Sequence, residues 1–168
     1  MSIQTSYSID FQAAFAGLLA DLNDYESVSA LLEGGAAIPF GVGLKRGASD
    51  DGYVLPSAAG DIVTGIAIHT HARDTLGFAN LQSDAGVKPG QMFTLLRRGS
   101  INVKVEETVA AGDQVFVRIA AGTGAQLGAF RKSADNNTAA IVKGARFLSS
   151  ALGGGIAKLS FNANAAAV

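Results

Sequence analysis

The stretch VKPGQMFTLLRRGSINVKVEETVAAGDQVFVRI, Val87–Ile119, decides the reading of this fold. Within it Ile101, Val103 and Val105 alternate with Asn102, Lys104 and Glu106, the period-two pattern of a strand with one buried and one wet face. Before it, Met92–Leu96 is apolar enough for burial on both faces; after it, Val115, Val117 and Ile119 stand opposite Phe116 and Arg118. Pro89-Gly90, Arg98-Gly99-Ser100 and Ala111-Gly112-Asp113 punctuate the strands. They supply the fixed φ of proline and the positive-φ tolerance of glycine that chain reversals need. The stretch predicts three strands joined by tight turns and carries nothing that a catalyst requires, which points to a structural protein. The alternation places Ile101, Val103, Val105, Val115, Val117 and Phe161 inside, and Lys104, Glu106 and Asn162 outside.

The same grammar continues on both sides. Val28–Leu32 reads as a strand, and so does Ile38–Leu44, where Phe40, Val42 and Leu44 alternate with Gly41 and Gly43 and Pro39 suggests an edge. Asp50-Asp51-Gly52 is a turn signal ahead of a short strand at Tyr53–Leu55, and Ile62–His69 follows. A long loop spans Thr70 to Lys88. Beyond Ile119, Gly122–Gly128 is a glycine-rich link, Ala129-Phe130 a short strand and Asp135-Asn136-Asn137 a turn. Ala139–Lys143, Ala145–Leu148 and Ile156–Phe161 close the sheet. About ten short, closely spaced strands predict an all-β fold, a jelly-roll-like sandwich or a small barrel.

The N-terminal residues read differently. Phe11, Phe15, Leu18, Leu19 and Leu22 fall on one face of a three-turn helix. Gly17 interrupts that pattern and the opposite face is mostly alanine, so an extended arm fits equally well. Residues 1–27 are therefore expected to form an N-terminal arm or short helix, and residues 28–168 the β-body. The five apolar residues of the arm are candidates for an intermolecular interface, loosely held in the isolated protein and dispensable for folding of the body.

Composition narrows the function classes. At 168 residues and 17.0 kDa the chain fits a single domain with its own core. Thirteen basic and fourteen acidic residues leave a net charge of −1, so no global field attracts phosphates and nucleic acid is not an expected partner. Charged residues are only 16% of the chain while glycine numbers 21, so Ala, Gly, Ser, Thr and Asn cover much of the surface. A subunit that packs against neighbours avoids desolvating charge in this way; a turn-rich β-protein is the alternative explanation. The absence of cysteine excludes disulfides and fits a reducing compartment. No signal-peptide pattern and no apolar run of spanning length is seen, so neither export nor a membrane partner is expected.

Fragments that imitate catalytic or ligand-binding motifs lack their partners. His69-Thr70-His71 puts two imidazoles on one face of a strand end and looks like the H-x-H of cupins, but no glutamate follows within a few residues and no third histidine exists. Gly122-Thr123-Gly124 with Gly128 lacks the lysine-serine pair and helix of a phosphate loop. Ser133, Ser149 and Ser160 sit in no nucleophile elbow. Asp50-Asp51 and Glu106-Glu107 are sequence neighbours whose side chains diverge, unlike a poised acid and base. Arg97-Arg98 reads as a solvated basic turn, and Asn136-Asn137-Thr138 as a glycosylation sequon without an export route. The expectation is no enzyme activity, no metal and no cofactor.

The chain resembles the structural cement proteins of tailed bacteriophages, capsid decoration proteins that lock onto the shell. The likeness runs along nearly the whole length through Ala16-Gly17 with Ala20-Asp21, Ile38-Pro39-Phe40-Gly41, Leu55-Pro56, Asp61–Ala67, Pro89-Gly90-Gln91-Met92, Gly99–Val103, Ala110–Arg118 and Gly144–Phe147. Their order and spacing carry the likeness. It implies a jelly-roll or barrel-like body with an N-terminal extension that acts by binding, with the major capsid protein and further copies of itself, as dimer or trimer, for partners. It also implies synthesis in the host cytoplasm and residence on the outer capsid surface. A carbohydrate-binding or adhesin-type β-sandwich displayed on a virion is the runner-up; it would want exposed aromatic residues, and the chain has no Trp and three Tyr.

Overall fold

The computed structural model describes residues 14–70, 86–122 and 125–167. Its strands are β1 (Glu26–Leu32), β2 (Ile38–Pro39), β3 (Gly43–Arg46), β4 (Gly52–Val54), β5 (Gly65–Ala67), β6 (Gly86–Val87), β7 (Met92–Lys104), β8 (Gln114–Arg118), β9 (Phe130–Arg131), β10 (Ala139–Phe147) and β11 (Ile156–Asn162). A 3-10 helix follows at Ala163–Ala167, and no α-helix occurs among the described residues. The fold is all-β.

Strand β7 organises the molecule, and here the structure corrects the expected turn at Arg98-Gly99-Ser100. The two strands predicted around it are one strand of 13 residues. Glu26 pairs with Arg98 but Ser27 with Leu96, so Arg97 is an extra residue in β7, a β-bulge. One extra residue reverses the parity of every side chain beyond it. Leu96 faces the same core as Ile101, Val103 and Val105, although simple alternation would put them on opposite faces. Gly99, with φ at +134°, supplies the backbone freedom for this kink, and a Cβ there would lie 2.9 Å from the Tyr25 Cβ.

The bulge lets β7 serve two rings of strands. Its first half pairs with β1 and β5; β5 pairs with β3, β3 with β4, and β4 in parallel with β1, which closes a five-stranded barrel. Its second half pairs with β11, and the sheet runs on through β10, β8 and β9. A parallel bridge from Phe130 to Val105 brings β9 back to the end of β7. Strands β2 and β6 form a separate small ladder.

Each ring has a core. Ala30, Leu32, Leu44, Tyr53, Ala67, Phe93 and Leu95 fill the first, joined by Ile38, Phe40, Val42 and Val87. The second holds Ile101, Val103, Val115, Val117, Phe130, Val142, Phe147, Leu159 and Phe161, and Val63, Ile66 and Leu96 join it from the wall of the first barrel. The residues expected inside are at most 1% exposed, and Lys104 is exposed. Glu106 and Asn162, expected outside, are half-buried.

Glycines mark three local differences. Ile38–Leu44 divides into β2 and β3 because Gly41 turns the chain with φ at +77°. Ile62–His69 narrows to Gly65–Ala67, where Leu95 fills the space a Cβ on Gly65 would need. The two strands expected from Ala139 to Leu148 are one, bulged where Gly144 adopts +73°.

Candidate interaction surface

Residues 14–22 hold no helical turn; the chain there runs beside β7. Past the bulge, β7 has lost β1 and β5 as neighbours, and its open edge is covered by this segment. Gly17 N–H donates to Asn102 O at 2.7 Å, Asn102 N–H to Leu18 O at 2.8 Å and Ala20 N–H to Ser100 O at 2.8 Å. The Asn102 side chain adds a bond to Leu18 O at 3.1 Å. Such an edge left bare would be a template for unwanted pairing. Gly17 and Gly41 cross at close range: with φ at +88°, a Cβ on Gly17 would lie 2.8 Å from the Phe40 Cβ and 2.9 Å from the His69 nitrogen.

The candidate interface residues divide accordingly. Phe11 lies outside the described residues. Leu19 packs against the second core and Leu18 is half-buried, so both face the chain's own body. Phe15 is 40% exposed and Leu22 is 71% exposed, so these two leave apolar surface in solvent. Arg98 bonds Asp24 at 2.8 Å and Arg97 lies 3.6 Å from Glu26, tying the loop before β1 to the bulge. The division drawn after residue 27 falls within β1, so arm and body share that strand.

Sequence reading missed a charged clamp that joins β8, β9 and the turn before β10. Arg118 and Arg131 are 8% and 7% exposed. Arg118 donates to Glu106 at 2.6 Å, to Asp135 at 2.8 Å and to Thr138, and Arg131 donates to Asp135 at 2.7 Å. Arg131 Nε faces Glu107 Oε1 at 3.3 Å, misaligned for a hydrogen bond, so that contact is Coulombic. Glu107 instead accepts from the Lys132 and Ser133 N–H groups and from Ser133 Oγ. The clamp fixes the turn in which Asp135, Asn136 and Asn137 all hold positive φ, from 45° to 64°. The bond from Arg118, then Thr138, draws the Asp135 carboxyl below its ordinary range, while Glu106 raises Arg118. At Glu107 burial pushes the pKa up, but Ser133, the Lys132 N–H and Arg131 together bring it down. The visible signal was Arg118 closing an apolar alternation.

Other carboxylates are spent on loops. Glu33 accepts from Ala48 N–H at 2.7 Å and Ser49 N–H at 2.8 Å; its pKa is lowered, first through Ser49. Gly47 and Gly52 leave room for that carboxylate. Asp61 takes Lys45 at 2.7 Å and the Ser57 and Ala58 N–H groups; these outweigh the desolvation that raises its pKa and leave it lowered. His69 donates its backbone N–H to Gly17 O, and its ring lies 4.8 Å from Phe40 and 6.3 Å from Phe15. His71 lies outside the described residues. Among the described residues no cluster of three His, Asp or Glu is placed to hold a metal ion, and no helix is long and apolar enough to cross a membrane. Ser149 Oγ accepts from Lys158 N–H, a structural role.

Comparison with known proteins places this architecture. Residues 3–162 match the sequence profile of the phage family described as Structural cement protein (E217 gp24/Pam3 gp6). No curated protein matches the chain. Among solved structures, a chain from the capsid of Myoviridae phage XM1 superposes with a TM-score of 0.68 at 15% identity, covering 96% of this chain and 98% of that one. The head fiber gp8.5 N base of bacteriophage phi29 gives a TM-score of 0.50 at 13% identity, over 83% of this chain and 96% of that one. At such identities the likeness is one of fold.

Proposed function

Given that the chain belongs to the phage structural cement family, with a structural role at the capsid, we propose that it binds the outer capsid surface and stabilises the shell by bridging neighbouring major capsid protein subunits. The observation that carries this reading is the family match across residues 3–162, over a fold in which Glu33, Asp61, Arg118 and Arg131 are committed to loops and strand ends. The protein acts by binding and carries out no reaction. Contacts that exist only on the assembled lattice stabilise that lattice by mass action. Many copies, each weakly held and associating with one another as dimers or trimers, make rupture of the shell costly.

The N-terminal residues Phe11, Phe15, Leu18, Leu19 and Leu22 contribute to this contact. Phe15 and Leu22 present the apolar surface, and Leu18 and Leu19 hold the segment on β7. An apolar side chain contributes ~1.5–3 kcal/mol on full burial, so two partly exposed ones are enough to shift occupancy. The test uses shells lacking this protein, mixed with wild-type protein or with Phe15→Ser/Leu22→Ser and then pelleted and heated. Wild-type protein is expected to bind and raise the rupture temperature, and the double variant to do so less. Shells that neither bind nor gain stability with wild-type protein would refute the reading.

A further inference from the structure

The outward face of β7–β11–β10–β8 has a charge pattern that the chain's net charge of −1 conceals. These four strands contain no Asp or Glu, while they carry Arg97, Arg98, Lys104, Arg118, Lys143, Arg146 and Lys158. Three of the arginines are answered from outside the strands, Arg97 and Arg98 by Glu26 and Asp24, and Arg118 by Glu106 and Asp135. Lys104, Arg146 and Lys158 are exposed and make no ion pair among the described residues.

Register sets these cations among small polar residues, with apolar side chains close by. Ile156 pairs with Lys104, Lys158 with Asn102, and Arg146 with both Ser160 and Gln114. Leu148 N–H donates to Lys158 O, which sets the 47%-exposed Leu148 beside that lysine. On β10 Ile141 is 51% exposed and pairs with the half-buried Phe116. Apolar side chains ringed by charges of one sign are the anatomy of a protein contact whose partner bears the opposite sign.

We propose that this face docks on an acidic protein surface of the capsid shell, with Lys104, Arg146 and Lys158 steering the approach and Leu148 and Ile141 buried at the contact. The inference rests on the capsid-binding reading and names the face and the chemistry of the partner. An acidic protein satisfies both features: its carboxylates answer the three cations, and its apolar side chains cover the leucine and isoleucine. Nucleic acid would answer only the cations.

The experiment compares wild-type protein with Lys104→Glu/Arg146→Glu/Lys158→Glu, and with Lys88→Glu/Lys132→Glu as a charge reversal at exposed positions elsewhere. Each is titrated onto shells lacking the protein, at low and at high salt, after thermal melting has shown that all are folded. The triple variant is expected to bind about tenfold to a hundredfold more weakly at low salt, with the difference shrinking as salt rises. The control is expected to bind like wild type. Equal binding by the triple variant and wild type would overturn the proposal while leaving capsid binding intact; wild-type protein that does not bind shells would overturn the capsid reading and this inference with it. Binding of wild type to duplex DNA that the triple variant loses would overturn it in favour of a phosphate partner. Self-association of free wild type that the triple variant loses would overturn it in favour of a second copy.

Discussion

Replacing Gly17 by alanine should release the N-terminal segment from β7, lifting Leu19 off the second core while the strand ladders persist. The residue sits at φ +88°, where an L side chain costs about 1–2 kcal/mol. Its new Cβ would lie 2.8 Å from Phe40 Cβ, 2.9 Å from the His69 nitrogen and 3.0 Å from the Gly41 nitrogen. Two of these are backbone atoms that do not yield cheaply, and overpacking of this kind adds about 1–3 kcal/mol. Four backbone hydrogen bonds oppose release: Gly17 to Asn102, Asn102 to Leu18, Ala20 to Ser100 and His69 to Gly17. At ~0.5–1.5 kcal/mol each they contribute about 2–6 kcal/mol, the same size as the penalty. Native-state hydrogen exchange reads the outcome. A loss of about 3 kcal/mol corresponds to roughly 100-fold faster exchange of the Ala20 and Asn102 amides, with amides that lie between β7 and β11 unchanged. Unchanged protection at Ala20 and Asn102 would show that the segment is not held by the glycine crossing and would refute the reasoning.

The remaining expectations concern the body. Arg118→Met, which removes one of the two cations that Glu106 and Asp135 share and leaves Arg131 as the other, should cost about 1–3 kcal/mol in denaturant unfolding through the half-buried Glu106 carboxylate, which loses its nearest donor; an unchanged unfolding midpoint would mean the clamp is ornamental. Asp61, Glu107 and Asp135 have folded pKa values below their unfolded ones, so their stabilisation is present above the unfolded carboxylate range and is lost as pH falls through the folded values. Melting temperature should therefore be level from about pH 6 to 8 and drop below about pH 4, and a maximum in acid would contradict the sign. Phe161→Ala, at a side chain 1% exposed between β10 and β7, should cost about 3–5 kcal/mol by equilibrium unfolding. A cost under 1 kcal/mol would place Phe161 outside the core.

What was legible in the sequence was everything governed by local alternation. Ile101, Val103, Val105, Val115 and Val117 announced their burial because one face of each strand is dry and the period of a strand is two. Turns at Pro89-Gly90, Gly112 and Asp135-Asn136-Asn137 were legible because the residues that tolerate those angles are few. What failed was the distinction between a turn and a bulge. Gly99, like Gly144, offers the same positive-φ freedom in either, and only pairing with distant β1 or β11 decides that the chain continues. The spacing of Phe15, Leu18, Leu19 and Leu22 left helix and extended arm open, and the choice falls to the extended form at residues 17–20 because the uncovered edge of β7 competes for their backbone groups. Arg118 and Arg131 were unreadable as a clamp, since Glu106, Glu107 and Asp135 reach them only once the second ring has closed.

A cryo-EM reconstruction of the parent capsid tests the central claim most directly. The account predicts density of this two-ring fold on the outer surface, spanning the junction between adjacent major capsid protein subunits, with β7, β11 and β10 turned toward the shell. Density on the inner surface, or a footprint confined to one subunit, would contradict it.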